Sequence, residues 1–479
     1  MTMRITRRQG LLGLFGGSLG LQAFVTGLPT WYLLNPRRAT AQDLACAITA
    51  RENLQYLILS VSSNGDPLNC NVPGTYEAAT IIHPTQTEVE QVPLTIGGQA
   101  FGAALPWADP SVMSPTDMAM GVATPATGQL KSSVLARTAF FHHRTGTTVH
   151  GDQPKVMKLL GDMSGGEMAV SAFAKHLSTC FGTVQAAPIS VGARGNSSEL
   201  VSFAGRTLPS ISPTQLKQLL TGSKTDPLVK ARMLRDQALN QLNQMAKDDG
   251  SNVQKQFLDK LATSQVQVRA LADQLSTTLA AITADDVNGQ ALAAAALISA
   301  NVTPVVTVHL SFGGDNHTDT NLQAEADQHV SGVKGIQTVM NALGTLTDAA
   351  GVSLTERVTF ATLNVFGRNL NGIQKVTDRT GRDHFGNHSV MVMIGKNVKS
   401  SVIGGVVAAS NGVYSAGDID AATGAQVTGG DVSSTKSQAA AVRTLGAALG
   451  IPDSVAAGDY TAGAGGKVVA GALANLPAS

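Results

Sequence analysis

Aromatic residues make up only 4% of this 479-residue chain, while 43% of it is apolar. The core must therefore be built from aliphatic side chains, alanine and glycine at close backbone approach. Cysteine is scarcer still: Cys46, Cys70 and Cys180 are the whole set. No two stand at zinc-finger spacing, which excludes a thiolate zinc module. In an oxidising compartment one pair can form a disulfide, leaving one thiol over. Cys46 and Cys70 are the nearer pair, but the sequence does not choose. Neither sign of charge dominates, with a formal net charge of +1, and the first 41 residues hold five arginines and no acid. Without them 29 basic residues face 33 acidic ones, a net of −4, so no nucleic-acid surface is expected. The chain has no phosphate loop and no dinucleotide fingerprint, and outside its N-terminal segment no Gly-x-Ser-x-Gly elbow. No later apolar run is long enough to span a bilayer.

The N-terminal segment carries Thr6-Arg7-Arg8-Gln9-Gly10-Leu11-Leu12, the pattern of a twin-arginine export signal with Gly10 in place of the usual Phe. An apolar stretch from Leu11 to Leu34 follows, diluted by Gly, Ser and Thr, and Ala39-Thr40-Ala41 offers a small-x-small cleavage site. The expectation is a signal peptide over residues 1–41 and a periplasmic or secreted domain over residues 42–479 that meets the membrane only during export.

Within that domain, Gln55 to Ser62 reads as a buried first strand, followed by the polar turn Ser63 to Asn69. Residues 70–130 read as loops with short strands such as Val92 to Ile96. Val134 to Phe141 is a second strand candidate, running into the loop His142-His143-Arg144 to Asp152. Met168 to Cys180 is helical in pattern, and Pro188 to Val191 is a short strand. Ser212-Pro213 opens a helical stretch with an N-cap and a first-turn proline. Its periodicity over Leu228 to Ala246 and Val253 to Ile282 predicts an inserted helical hairpin at about residues 212–283. Further helices are expected over Ala291 to Ala300, Leu322 to Leu346 and Ser437 to Leu449. Further strands are expected over Thr303 to Ser311, Arg357 to Phe366 and Ser389 to Ile394, with Gly404-Gly405-Val406-Val407 continuing the sheet or forming a hairpin. Long buried strands alternating with helices argue an α/β sandwich around a mainly parallel sheet.

The chemistry concentrates in two short blocks. Thr380 to His388 holds an Asp and two His within six residues, and Gly313-Gly314-Asp315-Asn316-His317 is a smaller echo upstream. Each lies next to a strand, and together they read as two halves of one metal site. Asp315, His317, Asp383, His384 and His388, with Asp66 as a further ligand, offer carboxylate oxygen and imidazole nitrogen to one or two divalent ions, zinc or manganese. Such ions clamp the attacking and leaving oxygens of an ester displacement. Arg144 and Arg368 are the candidate clamp for the anionic group of a small or polymeric ester substrate.

The same blocks carry a family resemblance. The twin-arginine start, Gly313-x-Asp315-x-His317, Phe366-Gly367-Arg368, Gly381-x-Asp383-His384 with His388, and Gly404-Gly405 follow the order found in the exported domain-of-unknown-function 1501 family, related to alkaline phosphatases and sulfatases. Asn64-Gly65-Asp66 resembles that family's Gly-Gly-Asn-Asp turn with the acid shifted by one. The resemblance implies a three-layer α/β/α sandwich and a metal-dependent hydrolase of phosphate or sulfate esters. The chain departs from the family at Asn364-Val365, where an acid usually precedes Phe-Gly-Arg. Valine binds no metal, so the alternative expectation is a non-catalytic binding or structural protein, the partner of another exported protein. Thr145, Thr147 and Thr148 are candidates for a nucleophile.

Overall fold

The computed structural model describes residues 51–108, 132–161, 167–192, 201–221, 278–310, 316–348, 350–371, 381–408, 413–453 and 466–474, together with residues 241, 312 and 314. In chain order the strands are β1 (Tyr56–Ser62), β2 (Gln91–Ile96), β3 (Gln99–Ala104), β4 (Thr138–His143) and β5 (Ile189–Val191). The helix α1 (Ala169–Phe181) lies between β4 and β5. Then come β6 (Ser202–Phe203), β7 (Arg206–Thr207), β8 (Ser210–Ile211), α2 (Pro213–Thr221), α3 (Val287–Ser299), β9 (Val305–Val308) and α4 (Gln323–Gly344). The chain continues with β10 (Val358–Asn364), β11 (Gly367–Arg368), β12 (His384–Phe385), β13 (Ser389–Ile394), β14 (Ser401–Ile403), β15 (Val406–Ala408), β16 (Tyr414–Ala416) and α5 (Ser437–Ala448).

Eight strands form one sheet in the order β14-β4-β13-β10-β1-β9-β5-β8. Every neighbouring pair is parallel except the two that involve β13. The molecule is thus mixed α/β with a large, mostly parallel central sheet. Runs such as Tyr-Leu-Ile-Leu-Ser-Val-Ser in β1, buried at every position, are what a strand covered on both faces requires. Successive residues of β1 alternate between two clusters. Leu57, Leu59 and Val61 pack with aliphatic residues of α1 and α5. Tyr56 and Ile58 pack with the alanine-rich α3 and with α4.

The reversal of β13 positions the site. Because β13 runs against its neighbours, its first residue, Ser389, pairs with the last residue of β4, His143. The segment leading into β13 therefore lies over the same sheet end as the loops that leave β1, β4, β9 and β10. Open α/β sheets bind ligands at that end.

The strand expected over Val134 to Phe141 lies further along. Ser132–Leu135 is a helical turn, and β4 starts at Thr138 and includes both His142 and His143. The reason is local: the Arg137 amide and the Thr138 hydroxyl both donate to the Val134 carbonyl, at 3.0 and 2.7 Å, and close a turn. The disulfide also departs from the nearer pair. Cys180 is disulfide-bonded, and Cys70 is the free thiol, fully buried. Burial pushes the Cys70 thiol far up, so it stays protonated. The third cysteine, Cys46, residues 1–41, expected to be a signal peptide, and most of the expected helical insertion lie outside the described residues. The opening of that insertion, α2, has Ser212 as its N-cap, with its hydroxyl accepting from the Gln215 amide at 3.3 Å.

Candidate functional site

Backbone hydrogen bonds join the two Asp/His blocks. The Gly381 amide donates to the His317 carbonyl at 2.7 Å, and the Arg382 amide donates to the Asn316 carbonyl at 3.1 Å. A Cβ at position 381 would stand 1.8 Å from the Asn316 carbonyl oxygen, so only glycine permits this approach. The next residue, Arg382, is fully buried and pairs with the equally buried Glu325 at the start of α4. Its other donors meet the carbonyls of Asn369, Leu370 and Ile82. Glu325 also accepts from the Asn71 side chain at 2.9 Å. This ion pair fixes the loop that carries Asp383 and His384.

Three of the expected residues then meet. His317 Nε2 lies 3.0 Å from His384 Nε2, and His317 Nδ1 lies 3.1 Å from the Asp383 carboxylate. His384 Nδ1 stands 2.9 Å from the Thr148 carbonyl, which can only accept, so Nδ1 carries the proton. Burial, with Arg368, His150 and His317 nearby, lowers His384 to about 4. At neutral pH its Nε2 is therefore a bare lone pair aimed at His317. A neutral His317 has one proton for two directions. If it faces His384, a lone pair is left against the Asp383 carboxylate; if it faces Asp383, two imidazole lone pairs meet at 3.0 Å. A proton or a metal cation between the rings would satisfy both contacts.

This geometry changes the role open to Asp383. Its carboxylate faces the outer nitrogen of His317, where an acid orients an imidazole for a ligand on the inner nitrogen. His384 itself is set by β12, whose pairing with β11 puts it opposite Arg368, and the Phe366 ring stacks on it with centroids 4.3 Å apart.

His388 is in a different network. Asn69 Oδ1 accepts from the Arg368 amide at 2.8 Å, which fixes the orientation of the Asn69 side chain. Its Nδ2 therefore donates to the Arg368 carbonyl at 2.8 Å and to His388 Nδ1 at 3.0 Å. His388 Nε2 then donates to His142 Nδ1 at 2.9 Å, and His142 Nε2 donates to the Pro73 carbonyl at 2.9 Å. Both ends of this chain fix the same tautomers, and burial keeps both rings neutral, His142 at about 4 and His388 well below its ordinary value. Neither nitrogen of His388 is available to an ion in this arrangement. Asn69→Ala is expected to cost about 2–4 kcal/mol, because it removes both bonds to the Arg368 backbone and leaves buried His388 Nδ1 without a donor. Chemical denaturation measures this, and a loss below about 1 kcal/mol would contradict the network.

Of the remaining candidates, Asp66 is buried at the turn after β1 and accepts from the Ser62 hydroxyl at 3.1 Å. Asp315 lies outside the described residues. The buried Arg368 guanidinium donates to the carbonyls of Gly65, Asn64, Gly314 and Arg382, at 2.7, 3.4, 3.1 and 3.4 Å, and so ties three loops together. Arg144 donates to Asn387 Oδ1 at 2.7 Å and to the Ser434 hydroxyl at 3.1 Å, beside His388 rather than beside His384. Val365 is fully buried in the aliphatic cluster under β1, and its amide donates to the Ser62 carbonyl at 3.0 Å. Among the threonines, Thr145 is fully buried, Thr147 donates to Asp152 at 2.7 Å, and Thr148 contributes its carbonyl to His384.

His150, which the sequence offered only as one of a cluster of histidines after a strand, also stands here. Its Nδ1 lies 2.6 Å from the Ser63 carbonyl, and its ring stands 4.6 Å from that of His384. Its place in the loop of histidines after β4 was the available signal. Among the described residues no three His, Cys, Asp or Glu side chains stand ready to hold a metal ion together. No protein-family model matches the chain, and no curated protein matches it in sequence.

Proposed function

We propose that this chain is an exported metal-dependent hydrolase of phosphate or sulfate esters, with His317 and His384 as ligands to a divalent ion. One observation carries the reading: two imidazoles whose Nε2 atoms stand 3.0 Å apart, with the Asp383 carboxylate 3.1 Å from the other nitrogen of His317. Tetrahedral zinc with Zn–N of about 2.0–2.1 Å holds its nitrogens about 3.4 Å apart, so a small opening of the pair accommodates the ion. The described residues thus fit the ion in part, with two inner donors where a catalytic zinc takes three. Asp315, two residues before His317, is the acid this reading assigns to the same ion.

A bound ion of this kind polarises an ester oxygen and lowers the pKa of a bound water. The protein's own contribution is orientation. Asp383 and the Thr148 carbonyl hold the outer nitrogens and so fix which face each ring presents. Arg368 holds the loops after β1 and β9 against the Arg382 carbonyl. Arg144 lies beside His388 and the Arg368 guanidinium is engaged by four carbonyls, so this reading leaves the anion contact to the ion.

The wider reading belongs here too. Kinship with the alkaline-phosphatase-related exported family is supported by the reversed strand and by the Asp/His blocks at one sheet end. A three-layer α/β/α arrangement is supported by the two clusters into which β1 alternates. Export is supported by the disulfide at Cys180, since disulfides persist mainly in oxidising compartments. A second reading, a non-catalytic binding protein with the same fold, is favoured by Val365, a core residue at the family's acidic position.

Elemental analysis of protein purified through its export route tests the proposal. One or two equivalents of zinc or manganese, lost in His384→Ala, and turnover of aryl phosphate or sulfate esters are expected. Absence of metal from folded, never-chelated protein favours the binding-protein reading.

A further inference from the structure

We propose that Val149 and Leu160 form the wall that takes the organic group of the ester, so that the substrate is an aryl or similarly bulky apolar ester rather than the ester of a small alcohol. The inference rests on the hydrolase reading above and names the substrate class of that same sheet end.

Five large apolar side chains are exposed among the described residues, and two of them stand on the segment between β4 and α1. Val149 is 56% exposed and Leu160 is 41% exposed. Such residues scattered singly need no explanation, but these two are gathered beside one feature. Val149 lies between Thr148, whose carbonyl meets His384 Nδ1 at 2.9 Å, and His150, whose ring stands 4.6 Å from that of His384. Leu160 lies over the same loop, since its Cδ1 would stand 3.1 Å from a Cβ at Gly146. The Gly146 amide in turn donates to the Gly386 carbonyl at 2.8 Å, two residues beyond His384.

The backbone holds both side chains outward. Thr147 Oγ1 accepts from the Val149 amide at 3.2 Å and donates to Asp152 Oδ2 at 2.7 Å. The Asp152 amide donates to the Val149 carbonyl at 3.0 Å and closes the turn. Leu159 and Leu160 have φ of 52° and 55°, two consecutive left-handed residues of which neither is glycine. That conformation is costly for leucine, and asparagine or glycine adopts it more cheaply. Its effect is to split the pair: Leu159 is buried in the core cluster that includes α1, and Leu160 turns out over Gly146. Strain kept beside a site points to contact with a ligand rather than to a need of the fold.

An ester whose anionic end meets the His317–His384 pair lays its organic group along a loop that flanks His384, and the loop over residues 146–150 presents apolar surface there. An aryl group covering both side chains removes on the order of 100 Å² of apolar surface from water, which favours it over a methyl group by about 50-fold.

The test compares the wild type, Val149→Thr and Leu160→Asn, each purified through the export route without chelation. Threonine has the shape of valine, and asparagine tolerates positive φ, so both keep the backbone as it is. Calorimetry measures binding of 1-naphthyl and methyl phosphonates and sulfonates, which are not cleaved, and kcat/KM is measured on the matching phosphate and sulfate esters. The wild type should favour the naphthyl compounds by about 50-fold, and each substitution should cut that ratio by about 3- to 10-fold. The denaturation midpoint of Leu160→Asn should not fall. A lower midpoint with an unchanged ratio assigns Leu160 to the fold and overturns the proposal. If the wild type cleaves naphthyl and methyl esters alike, the apolar wall is overturned and the hydrolase reading stands. If it binds the naphthyl compounds with the expected preference and cleaves no ester, the hydrolase reading fails and the wall stands as a ligand surface. If it neither binds nor cleaves any of them, both are overturned. A dimer without naphthyl preference that Leu160→Asn dissociates assigns the surface to a second copy and overturns the proposal.

Discussion

Glu325→Leu is expected to destabilise the fold by about 3–5 kcal/mol, because it strands the buried Arg382 guanidinium without a counter-ion. The pair is fully buried and doubly bonded, Nε to Oε2 at 2.5 Å and Nη2 to Oε1 at 3.1 Å. Three backbone carbonyls complete the guanidinium shell, but they cannot neutralise it. Arg382→Met should cost a similar amount, leaving the Glu325 carboxylate beside the buried Cys70 and the half-buried Tyr76, both of which stay protonated. The double variant Glu325→Leu/Arg382→Met should be more stable than either single one, since apolar replacements of a buried pair often restore most of the loss. Denaturant titration of the four proteins gives the coupling energy directly. Additive losses would mean that the two charges do not depend on each other.

Acidification should be the other large effect. Four fully buried histidines are held neutral, chiefly by burial: His142 at about 4, His143 at about 3, His329 at about 3, and His388 well below its ordinary value. In the unfolded chain they protonate near 6.5. Below that pH the unfolded state binds more protons than the folded state, so stability falls as pH falls. It is fully present above 6.5 and declines until the folded values are reached. Each group contributes up to about 1.4 kcal/mol per pH unit, so four together give roughly 5 kcal/mol per unit. A stability of about 5–15 kcal/mol is consumed within two or three units. Denaturant midpoints should drop steeply between pH 6.5 and 4.5. His329→Leu should flatten the slope by about one proton, since that ring sits among the edges of Trp107 and Phe312 with no ligand role. A pH-independent midpoint between 7 and 5 would contradict the neutral assignment.

Much of the fold was legible in the sequence because strands buried on both faces are written as unbroken apolar runs. Tyr56–Ser62, Val358–Asn364 and Ser389–Ile394 all stand where such runs occur. One helix start was legible for a different local reason, the Ser212 side chain capping the first amides of α2, whereas the Asp286 cap that starts α3 at Val287 was not read from the sequence. The β4 boundary was misplaced because the turn at Val134 depends on a threonine hydroxyl, which an apolar pattern does not register.

What the sequence determined by itself is the set of groups: two Asp/His blocks beside strands, an arginine in each neighbouring segment, and a valine before Phe366. What only the tertiary structure decided is which nitrogen of each histidine faces what. His384 and His388 are four residues apart in one motif, yet one meets His317 and the other meets Asn69 and His142. The cause is that a ring's direction is set by the hydrogen-bond partner of its outer nitrogen. Those partners, Thr148, Ser63, Pro73 and Asn69, are contributed by the loops that leave β1 and β4, and the reversal of β13 brings His384 and His388 to that sheet end. Likewise Glu325 has no mark in the sequence that separates it from a surface glutamate. Its pairing with Arg382 exists only once α4 packs beneath the loop it holds.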